Sequence, residues 1–529
     1  MVTFLISIAL LLAGYWLYSR LIERVIGVNP KRVTPATAHP DGVDFVPMKP
    51  WRIFLIQFLN IAGVGPIIGA VMGAQFGTAS FLWIVFGCIF AGAVHDFVAG
   101  FISLRKGGDS LPEIHGWYLG KKAKQFMRGF TVVLMILVGV VFVKTPATLL
   151  TGDPFVPMKT VELCDQQDNT QALVDNATSM VQESATATQV EKVPVFSTNT
   201  LLYFWIIFIF AYYLLATLLP IDKVIGKVYP IFGILLLAMA VAIVVAFIVH
   251  GIDLPEVWEK LSNQHPQADT TPIFPMMFIS IACGAISGFH ATQSPLMARC
   301  MVNERQARPI FYGAMIAEGI VALIWAAAAA YFFYGGDDSL YHGEKDAGMV
   351  KLIANTWFPP AIAFITLLGV VAAAVTSGDT ALRSARLIVA DFMHVDQKPI
   401  PKRLLVALPI FAITAALLIF SLADNDGFQV IWRYFSWANQ FLAMVTLWAL
   451  SVFLYAHRPG TQWYWITLIP AVFMSLVTFS FLMVAQKEGL GSIIPRPAGY
   501  AIAALITACQ LAQFFIWRRK KNFSIPSFH

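Results

Sequence analysis

Asn60-Ile-Ala-Gly63-Val-Gly65-Pro66-Ile-Ile-Gly69-Ala-Val-Met-Gly73 and Ala282-Cys283-Gly284-Ala285-Ile286-Ser287-Gly288-Phe289-His290-Ala291-Thr292-Gln293-Ser294-Pro295 are the two stretches that decide how this chain folds. Each lies in a run apolar enough to cross a bilayer, yet carries residues that a straight helix tolerates poorly. Proline removes an N–H and clashes one turn back, and clustered glycine adds backbone freedom. A break is therefore expected near 62–66, and a second of the same character near 284–288. In lipid, unwound backbone survives only when buried in protein or lining a wet cavity. The plainer reading is that glycine merely lets membrane helices approach closely. One such span favours that reading. Two in corresponding halves of a chain point to a transporter binding site.

Composition sets the surroundings. Of 529 residues, 58% are apolar and 12% are Asp, Glu, Lys or Arg, with mean hydropathy +0.70. Soluble domains carry about 25% charged residues, and a larger core does not remove the need for a wetted surface. A soluble enzyme, a nucleic-acid binder and a disordered chain are excluded together. The five cysteines, Cys88, Cys164, Cys283, Cys300 and Cys509, form no disulfide or zinc framework by spacing. The first apolar run, Val2 to Ser19, lacks a basic start and a small-residue cleavage site, and reads as a retained helix. Neither a GxxxxGK[ST] phosphate loop nor an HExxH metal motif occurs. Energy must come from an ion gradient or another subunit, which argues for secondary transport without a cofactor beyond Na+ or H+.

A bilayer core about 30 Å thick needs roughly 20 apolar residues per helix. Such runs lie near 2–19, 53–73, 78–104, 129–150, 199–219, 225–249, 273–298, 310–334, 357–378, 404–422, 428–455, 463–484 and 497–517, and are numbered here as spans 1 to 13. Every second loop is basic. Arg20, Arg24, Lys31, Arg32, Lys49 and Arg52 follow span 1, Arg105 to Arg128 follow span 3, and Lys223 and Lys227 follow span 5. Arg299, Arg305 and Arg308 follow span 7, Arg383 to Arg403 follow span 9, Arg458 follows span 11, and Arg518 to Lys521 end the chain. The intervening loops are acidic or neutral, as at Asp337, Asp338, Glu344 and Asp346. The positive-inside rule then sets the N-terminus outside and the C-terminus in the cytoplasm. The net charge of +6 is a topology signal and needs no nucleic-acid partner. The one long loop, 151–198, lies outside and reads as a mobile polar loop in preference to a small cap. Residues 30–50, with five prolines, form a cytoplasmic loop.

Spans 2 and 7 stand five helices apart and run in opposite directions. The fold is therefore read as an all-α polytopic bundle of two inverted five-helix repeats, 53–249 and 273–455. Residues 1–52 and 463–529 are additions. This pattern resembles the LeuT-type transporter architecture, whose first and sixth core helices are the broken pair. The substrate site is placed between the breaks, at Asn60, Gly63, Gly65, Pro66, Gly284, Ser287, Gly288 and His290, with Gln57 and Gln75 nearby. Half-helix N-termini there favour an anionic group. The same resemblance implies a sodium site at the hydroxyls of Thr376 and Ser377 and the carbonyls of Ala62 and Val64, an oxygen set suited to a hard cation. The alternative is a helix whose Ser and Thr bond back to their own backbone. Polar groups within apolar runs are usually functional, and several remain. His95-Asp96 either relays a proton or anchors a cytoplasmic loop. Asp379 with Arg383 one turn on reads as a gate ion pair. Lys144 either meets a substrate carboxylate or reaches the outer surface. Glu318 accepts a proton or pairs with a base.

At Asp41-Gly-Val-Asp-Phe-Val-Pro47, Ile61-Ala-Gly-Val-Gly-Pro-Ile-Ile-Gly69, Gly73-Ala-Gln-Phe-Gly77, Phe90-Ala-Gly-Ala-Val-His-Asp-Phe97 and Ser110-Leu-Pro-Glu-Ile114, the chain resembles the carbon starvation protein A (CstA) family. The later run Gly378-Asp-Thr-Ala-Leu-Arg383 is similar too. The resemblance implies an inner-membrane uptake system for scavenged nutrients, with pyruvate and peptides as the substrates linked to members. Longer members carry a His-His pair just before the Ala-Gly-Xaa-Gly-Pro break, where this chain has Ile56 and Gln57, so a proton role for that pair does not carry over. Functions placed in their extra C-terminal helices do not transfer either. The expectation is an ion-coupled importer of a small carboxylate such as pyruvate, with short peptides as the alternative. The partners are that small molecule and the bilayer. A channel or nutrient-sensing receptor is the rival of another class, though no ring of filter carbonyls or acidic residues is visible.

Overall fold

A long apolar segment becomes helical in lipid because only a helix satisfies every backbone N–H and C=O within one segment. The computed structural model follows that rule, and describes the chain except at residues 43, 153, 157, 164–188, 195–196, 219–220, 336–342, 344–345, 398, 424–426 and 520–529. Asp337, Asp338 and Glu344, Lys398, Lys520 and Lys521, Cys164 and much of loop 151–198 lie outside the described residues. Among the described residues, eleven helices are long and apolar enough to cross a membrane. They are span 1 (Val2–Ile26), span 3 (Ala79–Arg105), span 4 (Lys121–Leu149), span 5 (Thr198–Leu218), span 6 (Tyr229–Val249) and span 8 (Glu304–Gly335), followed by span 9 (Pro360–Met393), span 10 (Ile400–Ala423), span 11 (Gly427–His457), span 12 (Trp465–Val484) and span 13 (Arg496–Arg519).

The other two runs break where small residues cluster, with a proline at the first break. Span 2 divides into half-helix 2a (Pro50–Ile61) and half-helix 2b (Gly65–Ala74), bent by 46°, and Pro66 sits in the first turn of 2b where its missing N–H costs nothing. Span 7 divides into 7a (Ile273–Ser280) and 7b (Gly288–Ala298). Residues 281–287 between them are non-helical.

The two breaks touch. Gly65, Gly69 and Gly73 recur every fourth residue, so they form one stripe along 2b. A Cβ at Gly69 would lie 2.7 Å from the Ser280 carbonyl, and a Cβ at Gly65 or Gly73 would collide with Cys283 or Ile281. The close-approach reading and the broken-helix reading therefore hold at once: the glycines of one break seat the other break.

Four features depart from expectation. The 151–198 loop contains a two-stranded antiparallel ribbon, Met158–Leu163 paired with Gln189–Pro194. Strand pairing is how a polar segment satisfies its backbone without a helix. Short helices at Leu111–Leu119 and Ala347–Trp357 lie in the loops, too short to stand out as span-length runs. A one-turn helix at Pro35–Ala38 interrupts the proline-rich loop.

Contacts between span ends respect the alternation read from charge. On the basic side, Arg105 donates to the Gly27 carbonyl (2.6 Å), Arg458 to Val25 (2.8 Å) and Arg403 to Leu218 (2.6 Å). On the opposite side the Met1 ammonium meets Glu256 (2.6 Å), Thr78 N–H meets Lys260 O (2.9 Å) and Lys351 donates to Thr151 O (2.9 Å).

Candidate functional site

Beside the breaks lie four fully buried ionisable groups in one chain of contacts. His95 and Asp96 are neighbours on span 3, His290 opens the first turn of 7b, and Glu318 lies on span 8. His95 Nδ1 and Asp96 Oδ1 are 2.8 Å apart, and His290 Nδ1 and Asp96 Oδ2 are 2.9 Å apart. A carboxylate only accepts, so each imidazole donates from Nδ1. His290 Nε2 then faces Glu318 Oε2 at 3.3 Å, in ion-pair range but without hydrogen-bond geometry. One proton fits that gap. It sits on His290, giving an imidazolium and a carboxylate, or on Glu318, giving two neutral groups.

Span 3 is locally widened beside this cluster. Residues Trp83–Gly92 wind as a π-helix, a form that recurs at functional sites. A Cβ at Gly92 would collide with the Ala285 carbonyl in the break of span 7. His290, expected among the substrate ligands, lies in one buried cluster with His95, Asp96 and Glu318.

The remaining expected ligands fall into separate groups. Gln57 and Asn60, three residues apart at the end of 2a, are fully buried, and neither amide has a partner among the described residues. Gly63 lies against Ser377, whose hydroxyl donates to Leu59 O (2.9 Å). Thr376 bonds back to Ala372 O and Ala373 O, both at 3.0 Å. The Val64 carbonyl accepts from Ile68 N–H (2.7 Å), and Ala62 caps 2a through Phe58 O (2.7 Å). Ser377 therefore reaches the break, whereas Thr376 turns along its own helix.

Gly378 leaves room for Tyr213, whose hydroxyl donates to Phe142 O (2.7 Å). Asp379 accepts from Tyr229 (3.1 Å), and its distance to Arg383 is 3.8 Å. Arg383 also donates to the Ala216 carbonyl, so the expected gate pair is one part of a buried cross-link among spans 5, 6 and 9. Lys144 reaches the Ser421 carbonyl and lies over Phe428. It lines a cavity of about 210 Å³ with Ile68, Thr145, Thr148 and Asp346.

Three groups went unnoticed in the sequence. Asn439 bonds across the break of span 7, the Arg105–Glu304 pair ties the basic side, and Tyr229 holds Asp379. Asn439-Gln440 did leave a signal, as paired amides inside an apolar span.

Two interlocked helix breaks flanked by a buried carboxylate–imidazole chain define a multi-pass membrane transporter. Residues 1–337 and 345–481 match the family described as "Carbon starvation protein CstA", and the chain belongs to that family. It is similar to the "Peptide transporter CstA" of Campylobacter jejuni, 26% identical over 591 residues, covering 95% of this chain and 81% of that protein. It is also similar to the "Pyruvate/proton symporter BtsT" of Escherichia coli, 29% identical over 346 residues, covering 60% of this chain and 47% of that protein. Among solved structures, a manganese transporter of Eremococcus coleocola, in complex with an aromatic bis-isothiourea substituted compound, has TM-score 0.52 at 12% identity, covering 91% of this chain and 98% of that one. At that identity the likeness concerns the fold alone.

Proposed function

We propose that the chain imports a small carboxylate of the pyruvate type across the inner membrane, driven by protons. The observation that carries this reading is the gap between His290 and Glu318. His290 rides on a half-helix, whereas Asp96 and Glu318 sit on unbroken spans. A small movement of 7b makes or breaks the proton's second contact, so protonation and conformation are one equilibrium. A buried charge without a partner costs several kcal/mol, which is the size of bias needed to shift a two-state transporter. The Escherichia coli relative, a pyruvate/proton symporter by name, is in keeping with proton coupling.

The substrate carboxylate would meet half-helix N–H groups near Gly63–Pro66 and near Gly284–Gly288, with Gln57 and Asn60 completing the polar wall. A buried amide left unpaired costs about 1–3 kcal/mol, and substrate or water would relieve it. Lys144 would draw the anion into the cavity beside 2b. The two repeats, spans 2–6 and 7–11, would exchange access, with the basic side cytoplasmic. Sodium at Ala62, Val64, Thr376 and Ser377 is the competing coupling site.

The second reading is short peptides. Lys144 and Asp346 line the same cavity with opposite charges, as a zwitterion would require, and the Campylobacter jejuni relative is named for peptides.

Uptake of labelled pyruvate by proteoliposomes tests the choice. An inward proton gradient alone should drive accumulation that a protonophore abolishes, and excess dialanine should not compete. Asp96→Asn and Glu318→Gln should each lower proton-driven uptake at least about tenfold, the equivalent of one lost 1.4 kcal/mol contact. Accumulation driven by sodium alone would move coupling to the Thr376–Ser377 site. Proton-driven uptake of dialanine without pyruvate uptake would establish the peptide reading.

A further inference from the structure

Span 11 carries two adjacent carboxamides, Asn439 and Gln440, buried near its middle, and a buried carboxamide is costly unless hydrogen-bonded. Asn439 Oδ1 accepts from Phe289 N–H at 2.7 Å and from the Ser287 hydroxyl at 3.0 Å, and its Nδ2 lies 3.3 Å from Cys283 Sγ. Cys283 and Ser287 lie within the break of span 7, and Phe289 lies in the first turn of 7b. The side chain is fully buried. Contact is close at backbone level too, since a Cβ at Gly288 would lie 2.5 Å from Ala443 N and 2.6 Å from Asn439 O.

The capping arrangement is unusual. The first N–H groups of any helix lack intrahelical partners, and a Ser at the N-cap ordinarily supplies its own oxygen. Ser287 stands at the N-cap of 7b, yet its side chain makes no capping bond and donates to Asn439 instead. The cap is brought in from another span. A cap built into 7b would travel with it. This one breaks whenever 7b moves relative to span 11.

We propose that Asn439 is a releasable latch, whose carboxamide oxygen occupies, at the amino end of 7b, the position that the substrate carboxylate takes during transport. The proposal rests on the reading that a carboxylate binds near Gly284–Gly288. Asn439 is a positioning and specificity residue: it holds 7b closed when no substrate is present, and yields the Phe289 N–H to an oxygen carrying more charge. Charge-assisted bonds are about twice as strong as neutral ones, so the exchange runs in the required direction.

Two variants at one position separate a latch from a merely structural contact. In proteoliposomes with labelled pyruvate, Asn439→Ala removes the competitor and should lower KM about three- to tenfold, the scale of one net hydrogen bond. Asn439→Asp installs a permanent carboxylate and should raise KM at least about tenfold by the same conversion. A structural role would shift both in one direction, so KM values that rise together, or stay together, overturn the latch. A second arm needs no substrate: maleimide labelling of Cys283, followed by peptide mass spectrometry. Labelling should accelerate at least about tenfold in Asn439→Ala and not in Asn439→Asp, since opening tracks the lost bond. Equal rates overturn the proposal. If Asn439→Ala does not assemble, Ser287→Ala weakens the same latch, and its Cys283 rate decides. Wild-type protein that ignores pyruvate while Cys283 labelling responds as expected would refute the carboxylate reading and leave the latch standing.

Discussion

Lys351 shows how burial alone sets a titration. It lies on the short helix Ala347–Trp357, outside the spans, with Nζ 2.9 Å from the Thr151 carbonyl. Burial disfavours the charged amine and pushes its pKa down from 10.5 to about 8. Above pH 8 the folded chain has lost this proton, while the unfolded chain keeps it to about 10.5. The unfolded state therefore binds more protons in that window, and stability rises with pH across it. Melting of the detergent-solubilised protein should move upward between pH 8 and pH 10, and Lys351→Met should flatten that rise. An identical slope in the variant refutes the assignment. Sequence could mark single polar residues of this kind but not their partners. His95 and Asp96 are adjacent, so their contact was open to reading. His290 and Glu318 belong to different spans, and their approach depends on the rotation of 7b, which no local pattern encodes. Thr376 and Ser377 show the same limit. They are neighbours, yet one reaches the broken helix and the other returns to its own.

At the scale of the element, the stripe Gly65, Gly69 and Gly73 has a four-residue period, and glycine marked both breaks with proline at the first. The stripe's partner was not visible, because the unwound 281–287 segment has no periodicity to match against it. The stripe makes a sharp prediction. Gly69→Ala places a methyl 2.7 Å from the Ser280 carbonyl, a backbone atom that cannot rotate away. Overpacking of that kind costs about 1–3 kcal/mol. Gly129 in span 4 is the control, since a Cβ there meets nothing within 4 Å. Gly129→Ala should be neutral or stabilising by up to about 1 kcal/mol, the helix-propensity difference. Unfolding midpoints in a denaturing-detergent titration compare the two. If both shift alike, the contact between the breaks is not a close one. The breaks also share a design: each receives one side chain from an unbroken span, Ser377 on Leu59 in span 2 and Asn439 on Phe289 in span 7. Under the proposed mechanism, a proton or substrate that released either side chain would free a half-helix without disturbing the scaffold.

Across the whole molecule, the charge alternation read from the loops becomes two sets of ties, and the more deeply buried ion pair lies on the basic side. Arg105 holds Glu304 through two contacts of 3.1 Å, and Arg105 and Glu304 are 5% and 2% exposed. Arg105 also takes the Gly27 carbonyl, and Glu304 accepts from Asn29 N–H at 2.7 Å. One pair therefore joins the ends of spans 1, 3 and 8. Met48 N–H to Cys300 O at 3.1 Å adds the end of span 7. A transporter that opens toward this side has to loosen these ties, so their strength sets the balance between its two states. Removing one partner of a buried pair costs about 3–5 kcal/mol, whereas replacing both is often neutral. Glu304→Gln should thus destabilise the protein by that amount, and the Arg105→Met, Glu304→Gln double variant should recover most of it. Cys300, buried at the end of span 7, reports the conformational consequence. Its maleimide labelling should rise in both variants, because both remove the charge pairing whatever their stability. If the double variant regains stability and Cys300 stays protected, the pair is a folding contact, and the barrier to opening on the basic side lies elsewhere.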